Sequence, residues 1–264
     1  MTERVLVTGA AGRIGGYLRT RLARPDRTLR LLDVAWISDP DPAEEVVTAS
    51  VTDLDAMVAA CTGDGRAVDA VVHLGGYSGE EAWEDVLAVN IHGTYVVLEA
   101  ARRARVPRVV FASSNHAAGF HPALDPVPDD LRPRPDTYYG VGKAAGEALG
   151  SLYHDRYGLE VVCLRIGTCR EAPTDARSLA TWLSPDDCGR LVEAALTCPS
   201  PGFRTVWGVS ANTRRRLALA GAHEIGYRPR DDAEVFAAEV GHRTADTDGY
   251  VGGEFAGPSF DTPG

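Results

Sequence analysis

The sequence predicts an α/β fold built on a doubly wound parallel sheet, with a short additional C-terminal part. Apolar runs that indicate strands alternate with stretches of helical periodicity, a glycine-rich turn follows the first run, and an acidic residue closes the second. The apolar runs lie at residues 5–7, 29–33, 46–47, 68–73, 108–112, 159–166 and 205–209. The helical periodicities lie at residues 14–22, 54–58, 84–103, 139–157, 185–196 and 232–240. Such alternation predicts parallel strands with helices on both faces of one sheet.

The turn at residues 8–15 reads TGAAGRIG, and each of its glycines has a separate physical reason. Gly9 allows a sharp turn, Gly12 lets a pyrophosphate approach the main chain, and Gly15 lets the helix pack close to the strand. The free N–H groups and positive dipole end of the following helix would face the phosphates. Asp33 lies where a carboxylate accepts hydrogen bonds from both ribose hydroxyls and repels a 2′-phosphate. This arrangement predicts a Rossmann-type site that prefers NAD to NADP.

Length and composition indicate one large domain, or one domain with an appended part, in a chain of 264 residues that is 44% hydrophobic and 24% charged. The formal net charge of −10 argues against a nucleic-acid partner. No apolar run approaches membrane-spanning length and the start, MTERVLV, lacks a signal sequence, so we expect a cytoplasmic protein without a membrane partner. The five cysteines show neither a CxxC pair nor metal spacing, which predicts reduced thiols and no metal site.

The regular alternation of strands and helices weakens beyond residue 166. We therefore expect residues 1–166 to form the NAD-binding core. Residues 167–264 would form a short substrate-binding part that also completes the core. The stretch from residue 244 onward is rich in Gly, Asp, Thr and Pro and has no helical period.

A phenol and an ammonium group lie four residues apart in Tyr139-Gly140-Val141-Gly142-Lys143. On a helix, residues at this spacing share a face, so the positive charge of Lys143 is expected to lower the pKa of Tyr139. A tyrosine with a lowered pKa can transfer protons near neutral pH. Ser113 and Ser114 directly follow the strand at 108–112 and would lie at the same sheet edge. The alternative is a tyrosine packed against a lysine stem.

These features resemble the extended short-chain dehydrogenase/reductases over nearly the whole chain. The matching features are TGAAGRIG, Asp33, HLGG at 73–76, Asn90 within VNIHGT, Ser114, Tyr139 and Lys143. Five further motifs are similar to members of that family that oxidise hexuronates with NAD. They are FASSNH, RPDTYYGVGK, LRIGTC, SLATWLSPDD and VWGVSAN.

The resemblance implies a direct oxidation of a cyclic uronate to its aldarolactone. Tyr139 would act as the base on the anomeric hydroxyl, and Ser114 would hydrogen-bond the reacting oxygen. Lys143 would hold the nicotinamide ribose and polarise Tyr139. Asn90 would help to hold the catalytic helix.

The resemblance also implies which residues contact the cofactor and the sugar. The cofactor contacts would be Gly9, Gly12, Arg13, Ile14, Asp33, Ser50, Val51, Leu74, Gly75, Gly76, Asn90, Ser113, Tyr139, Lys143 and Ile166. The substrate contacts would be Ser78, Ser114, Asn115, His116, Tyr139, Thr168 and Arg177. Arg177 would pair with the carboxylate of the sugar acid, because a guanidinium group matches a carboxylate bidentately.

Two residues depart from the family pattern at the cofactor. Ser50 stands where the family usually has an aspartate facing adenine, so we expect weaker adenine binding. Arg13 lies in the phosphate loop, where a basic residue favours NADP. Asp33 would lie directly at the 2′-position of the ribose, so we expect its preference for NAD to outweigh the effect of Arg13.

Other functions remain open at this point. Ser78, Asn115 and Thr168 can be ordinary loop residues, His116 a structural histidine, and Arg177 a member of a surface ion pair. A nucleotide-sugar epimerase or dehydratase would share the catalytic residues, although little chain remains for a large nucleotide-diphosphate pocket. A regulator that binds NAD without turnover is the other alternative, and such proteins tend to lose the Tyr/Lys pair. We expect a homo-oligomer that acts on a small sugar acid.

Overall fold

The computed structural model describes residues 2–240, 249–257 and 260. Its main sheet has seven parallel strands in the order β3-β2-β1-β4-β5-β6-β9, and a two-stranded ribbon, β7-β8, stands apart. The strands are β1 (Glu3–Thr8), β2 (Arg27–Asp33), β3 (Glu44–Thr48), β4 (Ala70–His73), β5 (Arg108–Ser114), β6 (Glu160–Ile166), β7 (Thr168–Cys169), β8 (Trp182–Leu183) and β9 (Phe203–Gly208). The predicted doubly wound parallel sheet is confirmed.

Helices cover both faces of the sheet. They are α1 (Arg13–Arg21), α2 (Leu54–Thr62), α3 (Trp83–Asp85), a π-helical segment (Val86–His92), α4 (Gly93–Ala104), α5 (Tyr138–Tyr157), α6 (Ser178–Thr181), α7 (Pro185–Thr197), α8 (Ala220–Glu224) and α9 (Ala237–Val240). Short 3₁₀ turns lie at Gly63–Gly65, Asn115–Ala118, Ala233–Phe236 and Gly253–Ala256. The single helix predicted at 84–103 contains the π-helical segment, which its apolar pattern does not reveal. The predicted helix at 232–240 is a 3₁₀ turn followed by one short helix.

Alternate residues of each strand pack on opposite faces of the sheet, as a period of two requires. Val5 and Val7 of β1 join the core under α1 and α7, whereas Leu6 joins the core under α2 and α4. β9 lies beyond the predicted boundary at residue 166 and pairs with β6, so the C-terminal part supplies an edge strand to the main sheet.

The C-terminal segment folds back over the loop that follows β5. Tyr250 bridges to Pro122, and the Val251 and Gly252 amides donate to the carbonyls of His121 and Gly119. The predicted irregular tail therefore reaches the carboxyl edge of the sheet at residues 249–257. Its residues 244–248, 258–259 and 261–264 lie outside the described residues. Among the helices that the structure describes, none is long and apolar enough to cross a bilayer.

Candidate active site

The glycine turn between β1 and α1 has the geometry that a bound dinucleotide requires. Gly9 has φ +69°, and a Cβ placed on it would lie 2.7 Å from the Gly75 amide nitrogen. A Cβ on Gly15 would lie 2.6 Å from the carbonyl oxygens of Gly9 and Ala10. Gly12 gives the first turn of α1 no side-chain cap. The N–H groups of this turn are therefore left for an anionic ligand at the carboxyl edge of the sheet.

Asp33 ends β2 beside this turn and is fixed by two backbone donors. Its Oδ2 accepts from the Ala11 amide and its Oδ1 from the Ala35 amide, each at 2.9 Å. Each carboxylate oxygen keeps a further lone pair for a ribose hydroxyl. Ser50, at the end of the neighbouring strand, shares its hydroxyl with Thr52 at 2.8 Å. Arg13 is exposed at the start of α1.

A directed chain of hydrogen bonds links the glycine turn to the helix that carries Asn90. Thr94 Oγ1 donates to the Asn90 carbonyl at 2.6 Å, so it accepts from Nε2–H of His73 at 3.2 Å. His73 Nδ1 then accepts from the Thr8 hydroxyl at 2.8 Å, and that hydroxyl accepts from the Gly75 amide at 3.2 Å. Burial lowers the pKa of His73 to about 3. His73 is thus a neutral packed residue that connects two parts of the cofactor cleft.

Asn90 fixes the loop that follows β4. Its Oδ1 accepts from the Tyr77 amide at 2.8 Å, and its Nδ2 donates to the Tyr77 carbonyl at 3.1 Å. Its Cβ also lies only 3.0 Å from the point that a Cβ on Gly142 of α5 would occupy. Asn90 thus packs against α5 and also secures the loop that contains Ser78, which the sequence did not indicate. Ser78 itself is exposed.

Helix α5 brings the predicted catalytic residues together. Ser114 hydrogen-bonds the Tyr139 phenol. Lys143 Nζ donates to the Ala112 carbonyl at 2.8 Å and lies 5.4 Å from the centre of the Tyr139 ring. Thr137 caps the helix by accepting from the Gly140 amide at 2.9 Å. The phenol, the hydroxyl and the ammonium group therefore share one site at the end of β5.

The expectation that Lys143 lowers the pKa of Tyr139 is wrong for this structure. Burial raises the pKa of Tyr139 to about 12, while the Ser114 hydrogen bond lowers it and the charge of Asp136 raises it further. Burial also lowers the pKa of Lys143 to about 8. The sequence spacing correctly places the two groups on one face of the helix. It does not show how deeply each group is buried, and burial is the main cause of both pKa shifts.

Asp136 is a buried carboxylate that sequence reasoning missed. It bonds His116 Nδ1 through both oxygens, and the imidazole ring packs edge-on against Tyr139 and Phe255, with centroids 5.8 and 4.8 Å away. The backbone of Gly119 also packs against this carboxylate, where a Cβ would lie 1.9 Å from Oδ2. The only local signal is the acid three residues before Tyr139 in RPDTYYGVGK.

Asn115 and Arg177 meet at one backbone carbonyl of the C-terminal segment. Asn115 Nδ2 and Arg177 Nη2 donate to the Val251 oxygen at 3.2 and 2.8 Å, so the two side chains lie within about 6 Å of each other. Arg177 takes part in none of the ion pairs between described residues. Burial lowers its pKa, against the opposing charges of Asp175 and Asp136. A half-buried guanidinium group that makes no ion pair with the carboxylates of the described residues is thus held beside Asn115.

Three further residues that were predicted to contact the sugar or the cofactor have partners within the protein. Thr168 Oγ1 lies 3.0 Å from Thr181 Oγ1, so its hydroxyl already has a partner inside the C-terminal part. The Ser113 hydroxyl donates to Glu147 Oε1 at 2.6 Å, which uses its single donor hydrogen. Ile166 pairs with Ser114 at the same edge of the sheet.

Comparisons with known proteins identify the family of the chain. Residues 5–174 match the family model described as the NAD dependent epimerase/dehydratase family. A uronate dehydrogenase of Pseudomonas syringae pv. tomato is 41% identical over 98% of this chain and 96% of its own length. A crystal structure of a mutant uronate dehydrogenase from Agrobacterium tumefaciens, complexed with NAD, superposes with a TM-score of 0.90 at 38% identity and covers 100% of both chains. An NAD-dependent glucose-6-phosphate dehydrogenase of Haloferax volcanii is 39% identical over 90% of this chain and 97% of its own length. The chain therefore belongs to the NAD-dependent epimerase/dehydratase family and, within it, is a relative of the uronate dehydrogenases.

Proposed function

We propose that this protein oxidises hexuronates, D-glucuronate and D-galacturonate, at the anomeric carbon with NAD as the oxidant. The observation that carries the choice of substrate is Arg177, a half-buried cation that forms no ion pair with a described carboxylate, although the charges of Asp175, Asp136 and Glu254 act on it from further away. A substrate carboxylate would complete this arrangement, because a charge-assisted bidentate pair offsets the cost of burying the guanidinium group. A neutral hexose would leave that cost in place.

The residues around Tyr139 fit the removal of a proton from the anomeric hydroxyl. Tyr139 would accept this proton while Ser114 holds the reacting oxygen, and the C1–O bond becomes the carbonyl of an aldarolactone. NAD, when bound, supplies the acceptor for the hydride that leaves C1. With a phenol pKa raised to about 12, Tyr139 is protonated in the described structure at neutral pH, so we expect the rate to rise with pH on the acid side of its optimum.

We propose that the two parts of the chain divide this work. Residues 1–166 would hold NAD through the glycine turn and Asp33. Residues 167–264 would supply Arg177 and the segment that carries Val251. A cytoplasmic location and a homo-oligomeric assembly are further parts of the proposal, and size-exclusion chromatography with light scattering measures the second.

The experiment that tests the function is an NADH absorbance assay over a substrate panel. The panel contains glucuronate, galacturonate, glucose, galactose, L-arabinose, glucose 6-phosphate and a UDP-hexose. The phosphate ester is included because a guanidinium fork also matches phosphate. We expect the two uronates to give the highest efficiency. A higher efficiency with the phosphate ester or a neutral sugar would contradict the proposed substrate class.

The same assay tests the base. Removing the Tyr139 hydroxyl in Tyr139→Phe should lower turnover by about 10²–10⁴, the usual contribution of general base catalysis, while NADH still binds. Tyr138→Phe removes the same hydroxyl from the adjacent residue and is the matched control. Turnover retained in Tyr139→Phe would place the base elsewhere, with His116 as the next group to examine.

A further inference from the structure

Glu80 binds the first two amides of the catalytic helix, although it lies far away in the sequence. Its Oε1 accepts from the Tyr138 amide at 3.0 Å, and its Oε2 accepts from the Tyr139 amide at 2.8 Å. The side chain is half-buried. Both bonds are charge-assisted, and the carboxylate lies at the positive end of the helix dipole.

These bonds complete the start of the helix. Glu80 satisfies the first two N–H groups and Thr137 the third, through its Oγ1 at 2.9 Å from Gly140. Val141 then donates to the Thr137 carbonyl at 2.9 Å, which begins the regular helical ladder. A local cap at Thr137 would have been sufficient to start a helix, so the bonds from a distant loop connect two separate parts of the fold.

Glu80 belongs to the loop between β4 and α3, and this loop is fixed at two points. Asn90 holds its first half through both polar atoms of the Tyr77 backbone. Glu80 fixes its second half to the residue that carries the catalytic phenol. Ser78 lies between these two attachments. The Glu80 carboxylate therefore constrains how far the Ser78 loop can move from Tyr139.

We propose that Glu80 is a positioning residue that fixes the Ser78 loop at the catalytic distance from Tyr139. A small displacement of either side would separate the sugar from the base, and misplacement of about 1 Å is sufficient to lower rates by about a hundredfold. The inference rests on the proposed role of Tyr139 as the base and on the expected contact of Ser78 with the sugar, but not on which sugar is oxidised.

Two substitutions at Glu80 distinguish a role in positioning the Ser78 loop from a role that is limited to capping helix α5. Glu80→Gln keeps the length of the side chain but leaves one acceptor oxygen for two amides. Glu80→Asp keeps the charge and both oxygens, and it can still cap the helix if the loop moves inward by about 1.5 Å, the length of one carbon–carbon bond. The neighbouring Glu81 is exposed, so Glu81→Gln is the matched control for the loss of one charge from the loop.

The experiment combines steady-state kinetics with hydrogen exchange of the peptide that covers Tyr138 and Tyr139. The parent rate is measured with whichever sugar is its best substrate, so failure of the uronate assignment does not affect the comparison. We expect Glu80→Gln to exchange faster at these amides and to lose about ten- to a hundredfold in kcat at a temperature far below its melting point. Glu80→Asp should keep slow exchange and still show a reduced kcat, and Glu81→Gln should match the parent in both readouts.

Two results would overturn the proposal. One is full kcat in Glu80→Asp together with slow exchange, which would mean that Glu80 only caps the helix. The other is an unchanged kcat in a folded Glu80→Gln whose amides exchange quickly, which would mean that the loop keeps its position without this contact. A parent protein that oxidises no sugar would instead reject the proposed function, and the exchange data alone would then show whether Glu80 holds the helix.

Discussion

His116 Nδ1 lies 2.9 Å from Oδ2 and 3.1 Å from Oδ1 of Asp136, whose side chain is fully buried. Because a carboxylate accepts only from N–H, this contact places a proton on Nδ1, while Nε2 has no hydrogen-bond partner among the residues that the structure describes. The ring packs against Tyr139, so the orientation of His116 and the shape of the phenol site are coupled.

Asp136→Asn should weaken the sugar site while the cofactor site remains intact. The amide replaces an ionic acceptor with a neutral one that can also turn its NH₂ group towards Nδ1. A hydrogen bond to a charged group contributes about 1.5–3 kcal/mol, so we expect uronate efficiency to fall by roughly ten- to a hundredfold. The measurement is kcat/KM together with the Kd for NADH, with the exposed Asp130→Asn as the control. An unchanged kcat/KM would show that the orientation of His116 by Asp136 does not contribute to uronate oxidation.

Asp33 should make the enzyme prefer NAD. Its carboxylate is held by the Ala11 and Ala35 amides at the edge where the ribose of a bound dinucleotide would lie, and it would repel a 2′-phosphate. We expect higher catalytic efficiency with NAD than with NADP, and a smaller ratio in Asp33→Asn. Equal efficiencies in the parent protein would mean that Arg13 outweighs Asp33.

Features set by neighbours in the sequence could be predicted, and those set by tertiary contacts could not. The glycine turn, Asp33 and the Tyr139/Lys143 pair follow from strand and helix periodicity, because each depends on residues within one βαβ unit or one helical turn. Glu80 binds amides 58 and 59 residues away. Nothing in the local sequence distinguishes it from the neighbouring acids Glu81 and Glu84, so this contact could not be predicted. The pKa of Tyr139 was mispredicted for the same reason, since burial is a property of the whole fold.

Lys143 should reduce stability at neutral pH. Its pKa is lowered by burial from 10.5 to about 8, so between these values the unfolded chain binds a proton that the folded protein lacks. The free energy of unfolding should therefore rise with pH across that window, and below pH 8 the folded protein retains the cost of the buried charge. Lys143→Met should be inactive but more stable at pH 7, by on the order of 1–3 kcal/mol.

Urea unfolding at pH 7, 8 and 9.5 measures this effect. In Lys143→Met, the free energy of unfolding should rise less steeply with pH than in the parent, because the contribution of Lys143 is absent. A variant that is no more stable than the parent at pH 7 and keeps the same slope would show that Lys143 is not the source.

The Glu147–Arg165 pair should be the most sensitive ionic contact behind the site. Arg165 reaches both oxygens of Glu147 at 2.9 and 2.8 Å, and the two side chains are only 3% and 5% exposed. Arg165→Met leaves a buried carboxylate uncompensated and should lower the free energy of unfolding by about 3–5 kcal/mol. Adding Glu147→Leu removes that charge and should recover part of the loss. Urea unfolding of the parent, the single and the double variant tests this, and additive losses would contradict it.

The central claim is that Arg177 reads the carboxylate of the substrate, and the most direct measurement is the ratio of catalytic efficiencies for galacturonate over galactose. Arg177 lies beside Asn115 at the Val251 carbonyl, and a charge-assisted pair there should contribute about 1.5–3 kcal/mol. We expect a large ratio in the parent, a ratio lower by roughly ten- to a hundredfold in Arg177→Met, and partial recovery in Arg177→Lys. Arg170→Met, at an exposed arginine of the same loop, should keep the parent ratio. A large ratio that is unchanged in Arg177→Met, or a parent ratio near one, would contradict the account.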